Sequence, residues 1–423
     1  MNESRITIAR HYYSSGNAGF GFSPSDARHH CHILGKTGSG KTALLRNLIL
    51  QHIAQGHGVG VIDPHGDLVE GLLEMIPPER TRDVLYFHPS DQEHPVGFNP
   101  LAGVEPAQRP LIVSGIVEAL RNLWPDSWGP RMEYILQNAI AALLHVENSS
   151  LLGINRLLTD AAYRRWVVRQ VTDPFVRKFW EEEYESYDAR FRREAIAPIQ
   201  NKLGQFCLHP LVRNVLGQVK ARVSLPHVME HSQIFLANLS KGQLGTDKSA
   251  LLGSLLVSQF QAAAMARAAL PEEERKDFFL FIDEFQHFTT EAFASLLAEA
   301  RKYRLNLTLS HQYLDQLSEP VRTALFGNVG STICFRVGYR DAEWLSEEFE
   351  QTYSATQFLE LGRFELFARL TQGNQQHPPI RGRSYPPVEG VFNDRNKLIR
   401  VSRERFGMPR EVIEEKLRRW LNS

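Results

Sequence analysis

Short, almost uninterrupted apolar runs recur along the chain: CHIL at 31–34, GVGVID at 58–63, VLYF at 84–87, QIFLAN at 233–238, FFLFID at 278–283, LNLTLS at 305–310 and ICFRV at 333–337. Strands exposed on one face alternate apolar and polar residues, so these continuous runs predict strands buried on both faces. Most stand beside stretches of helical period. That grammar predicts an α/β fold, a mainly parallel sheet covered by helices. From about 106 to 228 the pattern changes: RMEYILQNAIAALLHV and REAIAPIQNKLGQF are helical in period, strand-like runs are few, and Pro and Gly punctuate the segment. This predicts an all-helical domain inserted into the sheet domain. The most apolar window, 251–270, carries Ser254, Ser258, Gln259, Gln261 and Arg267 and predicts a buried helix rather than a bilayer span. From Arg395 on, nine Lys or Arg stand against four Asp or Glu, and Pro409 precedes a final helix with Val412, Ile413, Leu417 and Trp420 as its apolar side.

Composition adds little. The chain of 423 residues has 48 Lys plus Arg and 48 Asp plus Glu, so overall charge neither favours nor excludes nucleic acid, and only a local basic surface could. Cys31, Cys207 and Cys334 are far apart and lack CxxC spacing, which speaks against zinc and a disulfide framework and fits a reducing cytoplasm. The N-terminal MNESRITIARHYY has no apolar core of a signal peptide.

Candidate chemistry begins at Gly35-Lys36-Thr37-Gly38-Ser39-Gly40-Lys41-Thr42, which matches GxxxxGK[ST] between a predicted strand and a predicted helix. Glycines let backbone N–H groups wrap a β-phosphate, the helix N-terminus adds its positive end, Lys41 reaches the β- and γ-phosphates, and the Thr42 hydroxyl is placed to ligate magnesium. ATP and Mg2+ are therefore the expected ligands. FFLFIDEFQ supplies the complementary acids: Asp283 for the metal at the strand end, Glu284 to polarise the attacking water. Two solvated acids at a strand end are the bland alternative, and pairing with the phosphate loop argues against it. LSKGQ at 239–243 resembles the LSGGQ signature of ABC transporters, but it follows a strand directly and stands well ahead of Asp283. Ser240 is read as a turn or cap residue. In DPHGD (63–67), His65 between Asp63 and Asp67 could sit near the metal, or the turn could simply be held by Asp63 and Gly66. Trp124 and Trp128 fit a helical core better than base stacking.

With the phosphate loop, FIDEFQ and EARKYRLNLTLSHQYLDQL (299–317), the chain resembles the FtsK/HerA superfamily of DNA-pumping ATPases, and within it soluble relatives of type IV secretion coupling proteins. VIDPHGDLVEGLLEMIPPER, HPVGFNPL, WGPRMEYIL, NLSKGQLGTDKSALLGSLL, GNVGSTICFRVGYRDAE and SRERFG extend the likeness over nearly the whole chain. The resemblance implies a RecA-like P-loop ATPase fold, a homo-oligomeric ring, typically a hexamer, with ATP between subunits and DNA in the channel. It makes Gln312 the polar sensor and Arg301 the arginine finger, with Arg304 the competing choice. It also implies a protein partner such as a relaxase, a nuclease or another effector. Two features depart from the pattern: no membrane segment precedes the phosphate loop, and the 34 residues before it are too few for the β-barrel of HerA-type helicases.

The expected organisation is then 1–105 and 229–385 as the two parts of the ATPase domain, 106–228 as the helical insertion, and 386–423 as a basic tail. The expected activity is ATP hydrolysis coupled to DNA translocation. The alternative is an ATPase scaffold that regulates a partner without pumping. Arg177, Lys178, Arg190, Arg192, Arg193 and Lys202 in the insertion are either a DNA surface or a solvated face, since Glu181 to Glu183 and Glu194 lie among them.

Overall fold

The apolar runs form one contiguous side of a single sheet. A computed structural model describes residues 5–13, 18–220, 222–290 and 292–422; Glu291, at the start of an expected helix, lies outside them. The strands are β1 (Ile6–His11), β2 (Gly19–Phe22), β3 (Cys31–Leu34), β4 (Gly58–Asp63), β5 (Val84–Phe87), β6 (Ile234–Asn238), β7 (Phe278–Ile282), β8 (Leu305–His311), β9 (Ser331–Cys334), β10 (Glu365–Arg369), the pair β11 (Thr371–Gln372) and β12 (Gln375–Gln376), and β13 (Ile380–Ser384). Among the described residues the large sheet has eleven strands in the order β2-β1-β13-β10-β9-β3-β8-β7-β4-β6-β5. From β9 to β6 every pairing is parallel. The sheet is continued by an antiparallel set, β10, β13, β1 and β2, which the apolar pattern does not announce.

Residues alternate between two apolar layers, as the pleat requires. Cys31 and Ile33 face helix α1 (Lys41–Ala54) and α2 (Asp67–Leu73) through Leu44, Leu48, Leu68 and Leu72. Leu34, Cys334 and Phe367 belong to the opposite layer, with Leu345, Phe349 and Phe358. This holds the phosphate-loop strand β3 between β9 and β8, so the loop that follows Leu34 leaves from the middle of the sheet.

The chain divides into two compact units: Met1–Tyr86, Pro226–Asn238 and Ala264–Val401 form one, and Phe87–Leu225, Leu239–Ala263 and Ser402–Ser423 the other. The second is the helical one, with helices at Arg109–Leu123, Pro130–Leu143 and Ala189–Leu208 among its longest. It also takes most of the helix Thr246–Ala266 and the last helix, Arg410–Asn422, which sequence reasoning grouped otherwise. Packing explains both additions. A Cβ on Gly115 would come 1.8 Å from Ser258 Oγ and 3.1 Å from its Cβ, so the two helices approach closely at this position. Arg403 binds Asp91 at 2.7 Å and Glu93 at 2.9 Å, and Ile413 and Leu417 are buried while Val412 is exposed. The stretch Thr246–Ala269 is long and apolar enough to cross a membrane, yet 72% of its most apolar window is buried inside the protein.

Candidate functional site

The loop Gly35 to Gly40 turns from β3 into α1 through two left-handed glycines, Gly38 at φ 77° and Gly40 at φ 123°. Gly40 is also a close approach: a Cβ there would lie 2.9 Å from Phe364 Cδ1 and 3.1 Å from Phe335 Cε1. The Phe364 N–H donates to the Ser39 carbonyl at 2.8 Å, so the antiparallel extension braces the loop from behind. Ser39 is buried, and among the described residues its hydroxyl has no hydrogen-bond partner.

The loop opens onto a cavity of about 510 Å³. Lys36, Thr37, Gly38, Gly40, Lys41 and Thr42 line it from the loop side, and Asp283, Glu284 and Gln312 from the ends of β7 and β8. Lys41 Nζ donates to the Gly35 carbonyl at 2.5 Å. Burial lowers its pKa, and Glu284 and Asp283 act in the opposite direction. Thr42 is exposed to the cavity. A hydroxyl beside a carboxylate is a hard oxygen donor set, which fits Mg2+, and the glycine cradle with the unpartnered Ser39 hydroxyl fits a polyphosphate.

Asp283 is buried, and its pKa is pushed up to about 6. Desolvation is the main cause; the Ser310 hydroxyl, which donates to its Oδ1, pulls the other way, and Asp63 and Glu284 add to the rise. Glu284 takes a left-handed backbone at φ 45°, an uncommon conformation for a residue with a Cβ. Its carboxylate accepts from Gln312 Nε2 at 2.9 Å and from Gln286 Nε2 at 2.8 Å. The strain and the two amides together fix the acid at the cavity wall.

The structure thus brings Lys41, Thr42, Asp283, Glu284 and Gln312 together, and it places Arg301 elsewhere. Phe293, Leu296, Leu297 and Ala300 are buried, while Arg301 is exposed, just before β8 begins. The phosphate loop and Gln312 follow the ends of β3 and β8, so Arg301 lies at the opposite edge of the sheet from its own phosphate loop. Arg304 has Glu272 at 3.0 Å. Asp63 clamps its own turn, accepting from the backbone N–H of His65, Leu68 and Val69, and Asp63, His65 and Asp67 all line the same cavity. Ser240 precedes a short helical turn, Lys241–Leu244, and its carbonyl accepts from Gln243 and Leu244.

The basic residues of the insertion are largely satisfied where they stand. Lys178 pairs with Glu182 at 3.8 Å, Arg190 with Glu194 at 3.0 Å and Arg192 with Glu185 at 3.3 Å. Arg177 and Arg193 donate to backbone carbonyls, and Lys202 lies over the Trp124 ring. Trp124 and Trp128 are half-buried, the latter donating to Glu133 at 2.5 Å.

Sequence reasoning missed Gln286, which binds Glu284, and Arg46, Arg363, Phe364 and Pro387, which line this cavity. Gln286 stood two residues past Glu284, within reach of inspection. The other four carry no motif, and three of them lie in the segments that flank the unannounced antiparallel strands, just before β10 and just after β13.

Residues 21–213 match the family described as Helicase HerA, central domain. No curated protein sequence matches the chain. Among solved structures, the bacterial conjugative coupling protein TrwB without its first 70 residues is similar at a TM-score of 0.64 and 16% identity, covering 93% of this chain and 92% of that one. TrwB in complex with ADP and Mg2+ gives 0.62 and 15%, with coverage of 93% and 92%. VirB4 of Thermoanaerobacter pseudethanolicus gives 0.57 and 14%, with coverage of 91% and 97%. The chain therefore has the α/β fold of TrwB and VirB4 over nearly its whole length, and residues 21–213 resemble the HerA central domain in sequence.

Proposed function

We propose that this chain binds and hydrolyses ATP with Mg2+ and, assembled as a homo-oligomeric ring, couples turnover to movement of DNA. The observation that carries the reading is the convergence of the phosphate loop, Asp283, Glu284 and Gln312 on one cavity. TrwB, which shares the fold, has been solved with ADP and Mg2+ and with non-hydrolysable ATP and GTP analogues. In this reading Lys41 neutralises the β- and γ-phosphates, and Thr42 and Asp283 hold the metal, which when bound offsets charge developing on the phosphates. Glu284 polarises the attacking water, and Gln312 fixes the Glu284 carboxylate and senses the γ-phosphate. Arg301, remote from its own loop, acts on the nucleotide of a neighbouring subunit.

The test is ATP turnover by the purified chain, with and without random-sequence duplex and single strand, beside Glu284→Gln. DNA should stimulate wild type. Glu284→Gln should keep nucleotide affinity and lose roughly 10² to 10⁴ in turnover. Unchanged turnover in both Glu284→Gln and Asp283→Asn would remove the acid pair from the chemistry. Turnover indifferent to DNA but raised by a protein partner would replace the motor with a regulatory scaffold, a reading that the locally paired cations of the helical unit favour.

A further inference from the structure

Arg301 closes a triangle with His29 and Asn374. Its Nη1 donates to His29 Nδ1 at 2.9 Å and its Nη2 to Asn374 Oδ1 at 3.3 Å, while His29 Nε2 lies 2.8 Å from the same Asn374 oxygen. All three contacts hold together in one state of the imidazole: neutral, with its proton on Nε2 facing Asn374 and its Nδ1 lone pair facing the guanidinium. We propose that His29 and Asn374 are positioning residues that hold Arg301 in a neutral cradle, aimed at the γ-phosphate of a neighbouring subunit's nucleotide.

The cradle is built from both sides. Asn374 sits at φ 63°, a conformation asparagine tolerates, in the turn between β11 and β12. That turn is pinned by Gly373 N–H to Asp26 Oδ1 at 2.8 Å and by Gln372 Nε2 to the Gly21 carbonyl at 2.6 Å. On the other side the His29 carbonyl accepts from Gly330 N–H at 2.6 Å, and the Gly330 carbonyl accepts from Thr371 Oγ1 at 2.6 Å. Histidine turn and hairpin are therefore tied to each other through Gly330, and Arg301 is the side chain suspended between them.

Neutral acceptors distinguish Arg301 from its neighbours. Arg28 is paired with Asp277 at 2.7 Å and Arg304 with Glu272 at 3.0 Å, and a guanidinium already facing a carboxylate offers less to a phosphate. Among the described residues Arg301 has no carboxylate within 4.0 Å. Two of its five N–H donors are used for orientation, which leaves the charge and three donors for a phosphate oxygen. The cradle fixes the direction of the side chain without neutralising it.

This inference rests on the reading of Arg301 as a finger, and the experiment separates the two. Turnover, KM and nucleotide affinity are measured on the full chain for Arg301→Ala, His29→Ala, His29→Gln and Asn374→Gly. The glycine keeps the positive φ and removes only the amide, so it guards against a folding defect in His29→Ala. Arg301→Ala should lose about 10³-fold or more in kcat. His29→Ala and Asn374→Gly should each lose roughly ten- to a hundredfold in kcat with KM and affinity unchanged, because a misaimed group costs rate and not binding. His29→Gln, whose amide oxygen can accept where Nδ1 did, should regain most of the loss. A slow Arg301→Ala beside wild-type kcat in Asn374→Gly and in any folded His29→Ala overturns the cradle and leaves the finger. Full turnover in Arg301→Ala removes the finger itself, and the cradle with it.

Discussion

At the end of β7 two adjacent acids are held in ways that cost the fold, and the cost can be measured. The ordinary aspartate pKa of 3.8 is raised to about 6 in the folded chain at Asp283, so burial favours the protonated form. The associated stability is fully present below the unfolded value and is lost as pH rises through about 6. At neutral pH the ionised acid therefore destabilises the nucleotide-free protein by about 3 kcal/mol relative to the acid limit. Asp283→Asn should remove that burden: in urea unfolding near pH 7.5 without nucleotide the variant should be more stable by roughly 1 to 3 kcal/mol, the margin shrinking between about pH 6 and about pH 4. A variant equal to or weaker than wild type at pH 7.5 would show that Asp283 is not paying a desolvation cost. The same substitution should abolish the magnesium dependence of nucleotide binding, since an amide is a poor ligand for a hard cation.

Among elements, the antiparallel extension is the one whose importance the sequence least announces. After β13 the chain crosses α1, where buried Asn47 donates to the Tyr385 and Pro386 carbonyls at 3.3 and 2.9 Å and accepts from Val388 N–H at 3.1 Å. This strap carries Pro387 to the cavity rim. Asn47→Ala leaves three backbone groups without that partner and should cost about 1 to 3 kcal/mol by denaturant unfolding, with nucleotide affinity weakened as the rim loosens. Unchanged stability and affinity together would mean that the strap is held by something other than Asn47. The parallel strands were legible because burial on both faces writes an unbroken apolar run; each of the seven predicted runs coincides with a strand, though β9 shares only Ile333 and Cys334 with its run, starting two residues earlier and ending three earlier than read. The extension was not, because IRGRS and GFGF in β13 and β2 are short, polar or glycine-rich, and their burial is set by neighbours distant in sequence. The phosphate loop and acid pair were legible for the opposite reason: their chemistry requires fixed residues at fixed spacing. His29 and Asn374 had no such spacing, and only the folded chain brings them to Arg301.

For the whole molecule, the proposed motor has a signature that no single residue determines. If DNA is held chiefly by its phosphates, affinity for random-sequence duplex should fall steeply and linearly in log salt and vary little with sequence, by titration at two salt concentrations with and without nucleotide. Salt-insensitive binding, or none in any nucleotide state, would count against translocation. The parallel pairing also imposes an order on synthesis. β3, which carries the phosphate loop, leaves the ribosome long before either of its sheet neighbours, Leu305–His311 and Ser331–Cys334. At roughly 5 to 20 residues per second, that strand waits on the order of tens of seconds with both edges open. The phosphate loop is thus among the first motifs translated and among the last to be enclosed, and a nascent chain stalled before Leu305 would expose an apolar template for mispairing. A fragment cut to residues 21–213, the span that resembles HerA, would hold every residue of the loop and neither strand that keeps it in place.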